Sequence, residues 1–175
     1  EKAIRMATLA HTGQMRKDGP AYIIHPFAVA LMLARHGFDE PVIAAALVHD
    51  VLEDTSVTAD EMREELGPEV LEMVQTVSYD KNLSWEDQRV KYIEAVRAGS
   101  EGAKAISIAD KIHNAESLLM GFEKEGKNMW SHFNRGRDKK LWFEEEMLKM
   151  AKGSWQHPLV EEYAVLVEKL KKLEY

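Results

Sequence analysis

The stretch from Ala44 to Thr55, AAALVHDVLEDT, places four ionisable side chains inside an apolar run. They are His49, Asp50, Glu53 and Asp54. Burying such groups without partners costs several kcal/mol each, so the fold has to supply something that compensates them. A divalent metal ion would do so, because imidazole nitrogens and carboxylate oxygens are common metal ligands. The pattern therefore indicates metal-dependent chemistry.

The spacing of these residues favours one site if the stretch is a continuous helix. Residues three and four apart share a helical face, so we expect Glu53 one turn above His49 and Asp50. Asp54 is then expected above Asp50. An adjacent His-Asp pair alone is more often a helix end with solvated acids and a hydrogen-bonded core histidine. A metal site requires further ligands from other segments.

Two other segments offer such ligands. His25 precedes Pro26, which biases it away from α geometry and predicts a helix entry with Pro26 as the first helical residue. Asp110 lies in an apolar helical run, residues 103 to 120, and Asn114 follows one turn later on the same face. A buried aspartate needs a partner. We therefore take His25 and Asp110 as the third and fourth candidate ligands, and Asn114 as a residue that orients water or a phosphate oxygen.

The elements around these residues predict an all-α fold, a compact single-domain helical bundle that covers residues 1–175. Capping residues and Gly-Pro breaks suggest about eight to ten helices. The clearest are expected at residues 1–11, 27–36 closed by Gly37, 41–50, 58–66, 68–77, 84–98 and 103–120. A chain of 175 residues is long enough to bury a sizeable core.

Composition narrows the class of protein. The chain is 45% hydrophobic and 30% charged, as ordinary globular domains are, and it has no apolar run of about 18 residues that would predict a membrane span. It contains no cysteine, which excludes disulfides and thiolate metal sites and fits a reducing cytoplasm. A net charge of −7 argues against a general nucleic-acid binder. An anionic ligand would have to be held by local bases and by metal.

The order of His25, His49-Asp50 and Asp110 resembles the H…HD…D pattern of HD-domain metal-dependent phosphohydrolases. Three blocks are more specific: AHTGQMRKDGPAYIIHPFAVA, AAALVHDVLEDT and ADKIHN. They are similar to the hydrolase domain of Rel/SpoT alarmone enzymes and to the stand-alone small alarmone hydrolases. The likeness covers roughly residues 7–119.

This resemblance implies removal of pyrophosphate from the 3′ position of guanosine tetra- or pentaphosphate. It implies one Mn²⁺ ion whose ligands are His25, His49, Asp50 and Asp110. Glu53 and Asp54 match the pair that handles the attacking water, although the sequence does not separate their roles. A divalent ion lowers the pKa of water, and Glu53 is placed to accept the proton.

The resemblance also implies substrate contacts. Arg16 and Lys17 match a basic pair beside the guanine base and the phosphates, and Asn114 matches a substrate-contacting asparagine. Arg137 lies in a basic and aromatic stretch, residues 127–150, most of which reads as an amphipathic helix with its aromatic side chains in the core. Arg137 is the residue of this stretch that we expect to reach the substrate phosphates.

Other residues receive structural roles or mark a departure from the pattern. His113 is expected on a different face from Asp110, with no part in the site. In the loop KDGPAYI, Pro20 lies one place earlier than in related hydrolases and Ala21 takes that position. This difference is expected to alter base recognition around Tyr22.

Two alternatives remain open from the sequence. One is an HD-family phosphatase that acts on another nucleotide and releases orthophosphate. The other is a nucleotide-binding module without turnover. In each case the expected partner is a small nucleotide and neither a nucleic acid nor a membrane. The histidine and carboxylate ligands suit Mn, Fe, Ni, Zn or Mg, so they do not identify the metal. The oligomeric state is left open.

Overall fold

The structure is a computed structural model that describes residues 1–16 and 19–174. Within these ranges the chain folds into ten α-helices and one 3-10 helix, and its β structure is a single isolated bridge between Met15 and Ala21. This confirms the predicted all-α class. The helices are α1 Lys2–Ala10, α2 Ile24–Arg35, α3 Glu40–Leu47, α4 Val51–Asp54, α5 Ala59–Leu66, α6 Pro68–Thr76, α7 Trp85–Ala98, α8 Glu101–Glu125, the 3-10 helix Gly126–His132, α9 Gly136–Ser154 and α10 Pro158–Lys171.

Helix α8 lies at the centre of the molecule. Its first half is buried all round by small and branched apolar residues such as Ala105, Ile106 and Ile108, each with no exposed surface. A helix that is apolar on every face belongs in a core. It packs against α2, α3, α6, α7, α9 and α10. Asp110 enters the core on this helix.

The stretch from Ala44 to Thr55 is broken in the middle, which corrects the one-face geometry expected of a continuous helix. Helix α3 ends at Leu47, a turn covers Val48 to Asp50, and α4 begins at Val51. The cause is local. The ring of His49 bonds through Nδ1 to the carbonyl oxygen of Ala46 at 2.8 Å, and that oxygen is the one an uninterrupted helix would offer to the amide of Asp50.

Helix α2 also begins earlier than the sequence suggested. It starts at Ile24, so His25 and Pro26 both lie in its first turn. Proline is tolerated there because the first amide groups of a helix have no intrahelical acceptor. The predicted end is confirmed: Gly37, at φ 79°, follows His36 at the C-terminus. Thr58 and Glu61 form the predicted capping box of α5.

Gly102 allows α8 to lie close against α3 and α6. A Cβ atom at this position would meet Met73 Sδ at 2.6 Å and Val42 Cγ2 at 2.7 Å, well inside normal contact. Gly121, in the same helix, would place a Cβ atom at an ordinary 3.5 Å from Met129. The two glycines therefore provide a matched pair.

We predict that Gly102→Ala lowers the free energy of unfolding by about 1–3 kcal/mol, because the added methyl group overpacks the core. Gly121→Ala should leave it unchanged or raise it by up to about 1 kcal/mol, since alanine favours the helix. Urea unfolding followed by circular dichroism measures both. Equal effects of the two substitutions would contradict the close approach at Gly102.

Candidate metal centre and its cavity

The three segments predicted to carry metal ligands meet at one point in the core. Nε2 of His25 lies 3.0 Å from Oδ1 of Asp110 and 3.6 Å from Oδ2 of Asp50. Nε2 of His49 lies 3.2 Å from the same Asp50 oxygen and 3.8 Å from Asp110 Oδ1. The ligand atoms of His25, His49 and Asp110 all lie within 4.8 Å of one another. The structure thus brings all four candidate ligands together.

Both imidazole rings turn Nε2 towards this point because their Nδ1 atoms are engaged elsewhere. His49 Nδ1 bonds to Ala46, and His25 Nδ1 lies 2.8 Å from Nδ1 of His113. His49 Nε2 is buried and has no hydrogen-bond partner among the described residues. A buried nitrogen without a partner is costly unless another ligand completes it. This orphaned atom fits a bound metal ion.

The contact with His113 corrects the expectation that this residue faces elsewhere. His113 lies three residues after Asp110, a spacing that shares a helical face. Its ring packs against that of His25 with centroids 4.8 Å apart. His113 therefore helps to hold a candidate ligand in place.

Asp110 is held in its ionised form by neighbours on its own helix. Its Oδ2 accepts a hydrogen bond from Lys111 Nζ at 2.6 Å, and its Oδ1 accepts one from Asn114 Nδ2 at 2.5 Å. Burial alone would raise the pKa of Asp110, but the Lys111 ammonium holds it well below its usual range. Sequence reasoning missed Lys111, although a lysine next to an aspartate in an apolar helix is the signal that could have found it.

The centre attracts positive charge. Burial lowers the pKa of His49, yet the Asp50 carboxylate and the contact with Asp110 raise it to about 9. Two imidazole nitrogens and two carboxylates in a largely buried cluster suit a divalent ion of the first transition series. These residues therefore fit a divalent metal site.

Glu53 and Asp54 lie beside the cluster on α4. Glu53 Oε1 accepts a hydrogen bond from the backbone amide of Tyr79 at 3.0 Å. Burial, together with the charges of Asp50 and Asp54, raises the pKa of Glu53 to about 7. A carboxyl group with this pKa can both take up and release a proton near neutral pH.

Asp54 is linked to the cluster through Tyr22. The Tyr22 hydroxyl lies 2.7 Å from Asp50 Oδ2 and 3.3 Å from Asp54 Oδ2. Burial and the neighbouring Asp50 raise the pKa of Asp54 as well. Tyr22 thus connects a candidate ligand to a candidate catalytic residue.

The cluster opens into a cavity of about 560 Å³, which we call the metal-side cavity. A second cavity of about 270 Å³, the adjoining cavity, shares several wall residues with it. The shared wall is formed by Tyr22, Asn114, His132, Phe133 and Lys140. Together the cavities provide a charged compartment beside the candidate ligands and a more apolar one next to it.

Two of the residues predicted to contact the substrate, Arg16 and Asn114, line the cavities. Arg16 lines the adjoining cavity, where its Nη2 donates to Ser117 Oγ at 3.1 Å, and Asn114 lines both cavities. Lys17 lies outside the described residues. Lys140 also lines both cavities, and sequence reasoning gave it no role.

The structure does not bring Arg137 to either cavity. Its Nε donates to the carbonyl oxygen of Leu173 at 3.1 Å and its Nη2 to that of Lys171 at 3.0 Å. These oxygens lie at and just beyond the C-terminus of α10, where a helix attracts cations. This placement argues against the predicted phosphate contact of Arg137.

A family model described as "HD domain" matches residues 3–139. The chain belongs to the HD-domain family. The match includes all four candidate ligands as well as Glu53 and Asp54. The resemblance to HD-domain phosphohydrolases inferred from the H…HD…D pattern is thereby confirmed.

Several curated relatives of this HD domain are named for the same hydrolase activity. A Mus musculus protein named guanosine-3′,5′-bis(diphosphate) 3′-pyrophosphohydrolase MESH1 is 37% identical over 121 residues, which is 67% of this chain and 68% of that protein. An Aquifex aeolicus protein named guanosine-3′,5′-bis(diphosphate) 3′-pyrophosphohydrolase is 34% identical over 132 residues, or 74% of this chain. The match spans only 19% of the Aquifex protein, so this HD domain is similar to a small part of that relative.

Solved structures share the fold along most of the chain. The lmo0812 protein of Listeria monocytogenes superposes with a TM-score of 0.79 at 38% identity, covering 85% of this chain and 99% of that one. A metazoan ortholog of SpoT, described as hydrolysing ppGpp, superposes with a TM-score of 0.81 at 25% identity and covers 99% of this chain and 95% of its own.

Among the described residues of this HD domain, the helices are too short or too polar to cross a membrane.

We predict that Asp110→Asn weakens binding of a divalent metal ion by at least about 100-fold, because changes to outer partners of ligands already cost about 10–100-fold. Metal titration followed by the rise in melting temperature measures the effect. Asp60→Asn, which changes a carboxylate that is 95% exposed, serves as the control. A variant at Asp110 that retained metal like the wild type would exclude this residue as a ligand.

We also predict a pH-dependent gain in stability from Glu53→Gln in metal-free protein. The folded state keeps the Glu53 proton up to about pH 7, whereas the unfolded chain releases it near its ordinary pKa of 4.5. The free energy of unfolding therefore falls as the pH rises between these values. Removing the ionisable group should raise stability at pH 8 by about 1–3 kcal/mol, allowing for partial exposure, and should change it little at pH 5.

Urea unfolding at the two pH values tests this, with the exposed Glu64→Gln as the control. Equal stabilisation at pH 5 and pH 8 would argue that burial does not raise the pKa of Glu53.

Proposed function

We propose that this chain is a metal-dependent hydrolase that removes pyrophosphate from the 3′ position of guanosine tetra- and pentaphosphate, leaving GDP or GTP. The observation that carries the proposal is the cluster of two histidines and two aspartates beside Glu53, of which His25, His49 and Asp110 are buried. It occurs in an HD domain, several of whose relatives are named for this activity. His25, His49, Asp50 and Asp110 would hold the metal ion, which we propose to be Mn²⁺.

The reaction requires one proton to leave water and one to reach the departing oxygen. The oxygen of a water molecule bonds to the phosphorus attached to the ribose 3′ oxygen. The bond between that phosphorus and the 3′ oxygen breaks, and the 3′ oxygen takes up a proton. When bound, a divalent ion lowers the pKa of water and withdraws charge from phosphoryl oxygens.

Glu53 is our choice for the proton transfer. Burial raises the pKa of Glu53, which favours uptake of a proton from water and its return to the 3′ oxygen. The hydrogen bond from the Tyr79 amide fixes one of its oxygens and leaves the other for water. Asp54, which shares the Tyr22 hydroxyl with Asp50, would orient that water.

The two cavities suggest where each part of the substrate would bind. The phosphates would enter the metal-side cavity, next to the candidate ligands and to Lys111. The nucleoside would lie in the adjoining cavity, where Arg16 and Asn114 are the proposed contacts. Lys17 follows Arg16 directly and remains part of the proposal. Tyr22 lies on the wall that the two cavities share. It would therefore contact the sugar as well as the base.

Turnover by the purified protein with Mn²⁺ tests the proposal. We expect release of pyrophosphate from guanosine tetraphosphate, and we expect Glu53→Gln to lower its rate by at least about 100-fold while the protein keeps its metal. Glu64→Gln, on the exposed face of α5, should turn over like the wild type.

Two results would point elsewhere. Release of orthophosphate from other nucleotides, with none of pyrophosphate from the alarmone, would support an HD phosphatase of different specificity. Tight alarmone binding with no product would support a non-catalytic module. Full activity of Glu53→Gln would refute the proton-transfer role of this residue.

A further inference from the structure

Arg89, on α7, lines the metal-side cavity in an unusual setting for a cation. Its guanidinium carbon lies 3.9 Å from the ring centroid of Tyr79 and 5.1 Å from those of Trp85 and Phe143. Aromatic faces attract a guanidinium group, so the three rings fix its position. They accept none of the directional hydrogen bonds that its five N–H groups can donate.

Two nitrogens of Arg89 are buried without a partner. Nε and Nη1 have no hydrogen-bond acceptor among the described residues. Leaving a buried charged donor unsatisfied destabilises a fold unless a ligand completes it. The two lysines of this wall differ from Arg89, because Lys111 donates to Asp110 and Lys140 donates to the buried Glu144. Arg89 retains unused donors next to the candidate metal site.

Tyr79 links Arg89 to the chemistry proposed above. Its ring supports the guanidinium group, and its backbone amide donates to Glu53 Oε1 at 3.0 Å. One residue thus positions both the proposed proton-transfer group and the cation. An anion bound by Arg89 would lie in the same cavity as His25, Asp50 and Asp110.

We propose that Arg89 binds the outer phosphate of the substrate's 3′ diphosphate and thereby makes this HD domain prefer a 3′ diphosphate to a 3′ monophosphate. The inference rests on the proposed function. It deepens that function by assigning a residue to the outer phosphate, whose phosphorus is not the one attacked by water. A guanidinium group suits this task because its planar N–H groups can meet two phosphate oxygens at once. Phosphate oxygens would supply the acceptors that Nε and Nη1 lack.

Binding of inorganic pyrophosphate tests the subsite without turnover. Calorimetry on the metal-loaded, desalted protein should give at least about tenfold tighter binding of pyrophosphate than of orthophosphate. Arg89→Met, which keeps an apolar stem between the rings, should lose at least about tenfold in pyrophosphate affinity and little in orthophosphate affinity. Arg97→Met, which removes an exposed arginine from the same helix, should bind both like the wild type.

Arg89→Lys provides a second variant that keeps the charge and the fold. We expect it to recover only part of the preference, because an ammonium group cannot span two oxygens in a fixed plane. Unchanged pyrophosphate affinity in both Arg89 variants would overturn the proposal and leave Arg89 as a packing residue. A loss of pyrophosphate and orthophosphate affinity by the same factor would also overturn it.

Kinetics separates the subsite from the proposed function. With guanosine 5′-diphosphate carrying either a 3′ diphosphate or a 3′ monophosphate, the wild type should favour the diphosphate, and Arg89→Met should narrow the ratio of kcat/KM at least about tenfold. Normal alarmone hydrolysis with an unchanged ratio in the variant would refute the subsite and leave the function standing. Arg89-dependent pyrophosphate binding without any hydrolysis would refute the function and leave the subsite standing.

Discussion

The constraint on which this structure depends is the burial of two imidazoles and the Asp110 carboxylate around one point in the core, beside the partly exposed Asp50. Asp110 is 8% exposed and His25 and His49 are 2% and 3% exposed, so water cannot solvate them in place of a partner. The protein supplies part of the compensation through Lys111, whose ammonium pairs with Asp110. A bound cation would supply further compensation, since His49 Nε2 makes no hydrogen bond to the described residues. Helix α8 can carry Asp110 in the centre of the molecule because such partners compensate the buried charge.

The same constraint is consistent with the break of the helix at His49. In a continuous helix, neighbouring side chains diverge by about 100°, which would turn His49 and Asp50 away from a common point. The bond from His49 to the Ala46 carbonyl ends α3, and the turn that follows brings Nε2 within 3.2 Å of Asp50. The break also sets the start of α4, and with it the position of Glu53. One hydrogen bond between a side chain and the backbone therefore places both a candidate ligand and the proposed proton-transfer group.

Local signals in the sequence were enough to predict much of the fold. The Thr58 capping box and the positive φ at Gly37 depend on residues within a few positions of one another, and both helix ends were predicted correctly. The convergence of three ligand segments was also expected, because polar groups in apolar runs need partners. The helix break was missed, because it depends on how one imidazole ring turns rather than on propensity. Arg137 was assigned to the substrate because its actual partners, the last carbonyl oxygens of α10, are too far away in the sequence to be recognised from local patterns.

Arg89 shows what sequence patterns leave out. No motif surrounds it, and its setting is formed by rings from three different segments, Tyr79, Trp85 and Phe143. The chain carries a net charge of −7, so a phosphate-rich ligand is repelled over most of the surface and must be drawn in by local cations. Two lysines of the metal-side cavity are already committed, Lys111 to Asp110 and Lys140 to Glu144. A guanidinium group held by aromatic faces keeps its charge and its donors available, because a ring positions a cation without neutralising it. Aromatic support is thus the physical means by which this acidic protein can present an uncompensated positive charge beside a cluster of carboxylates.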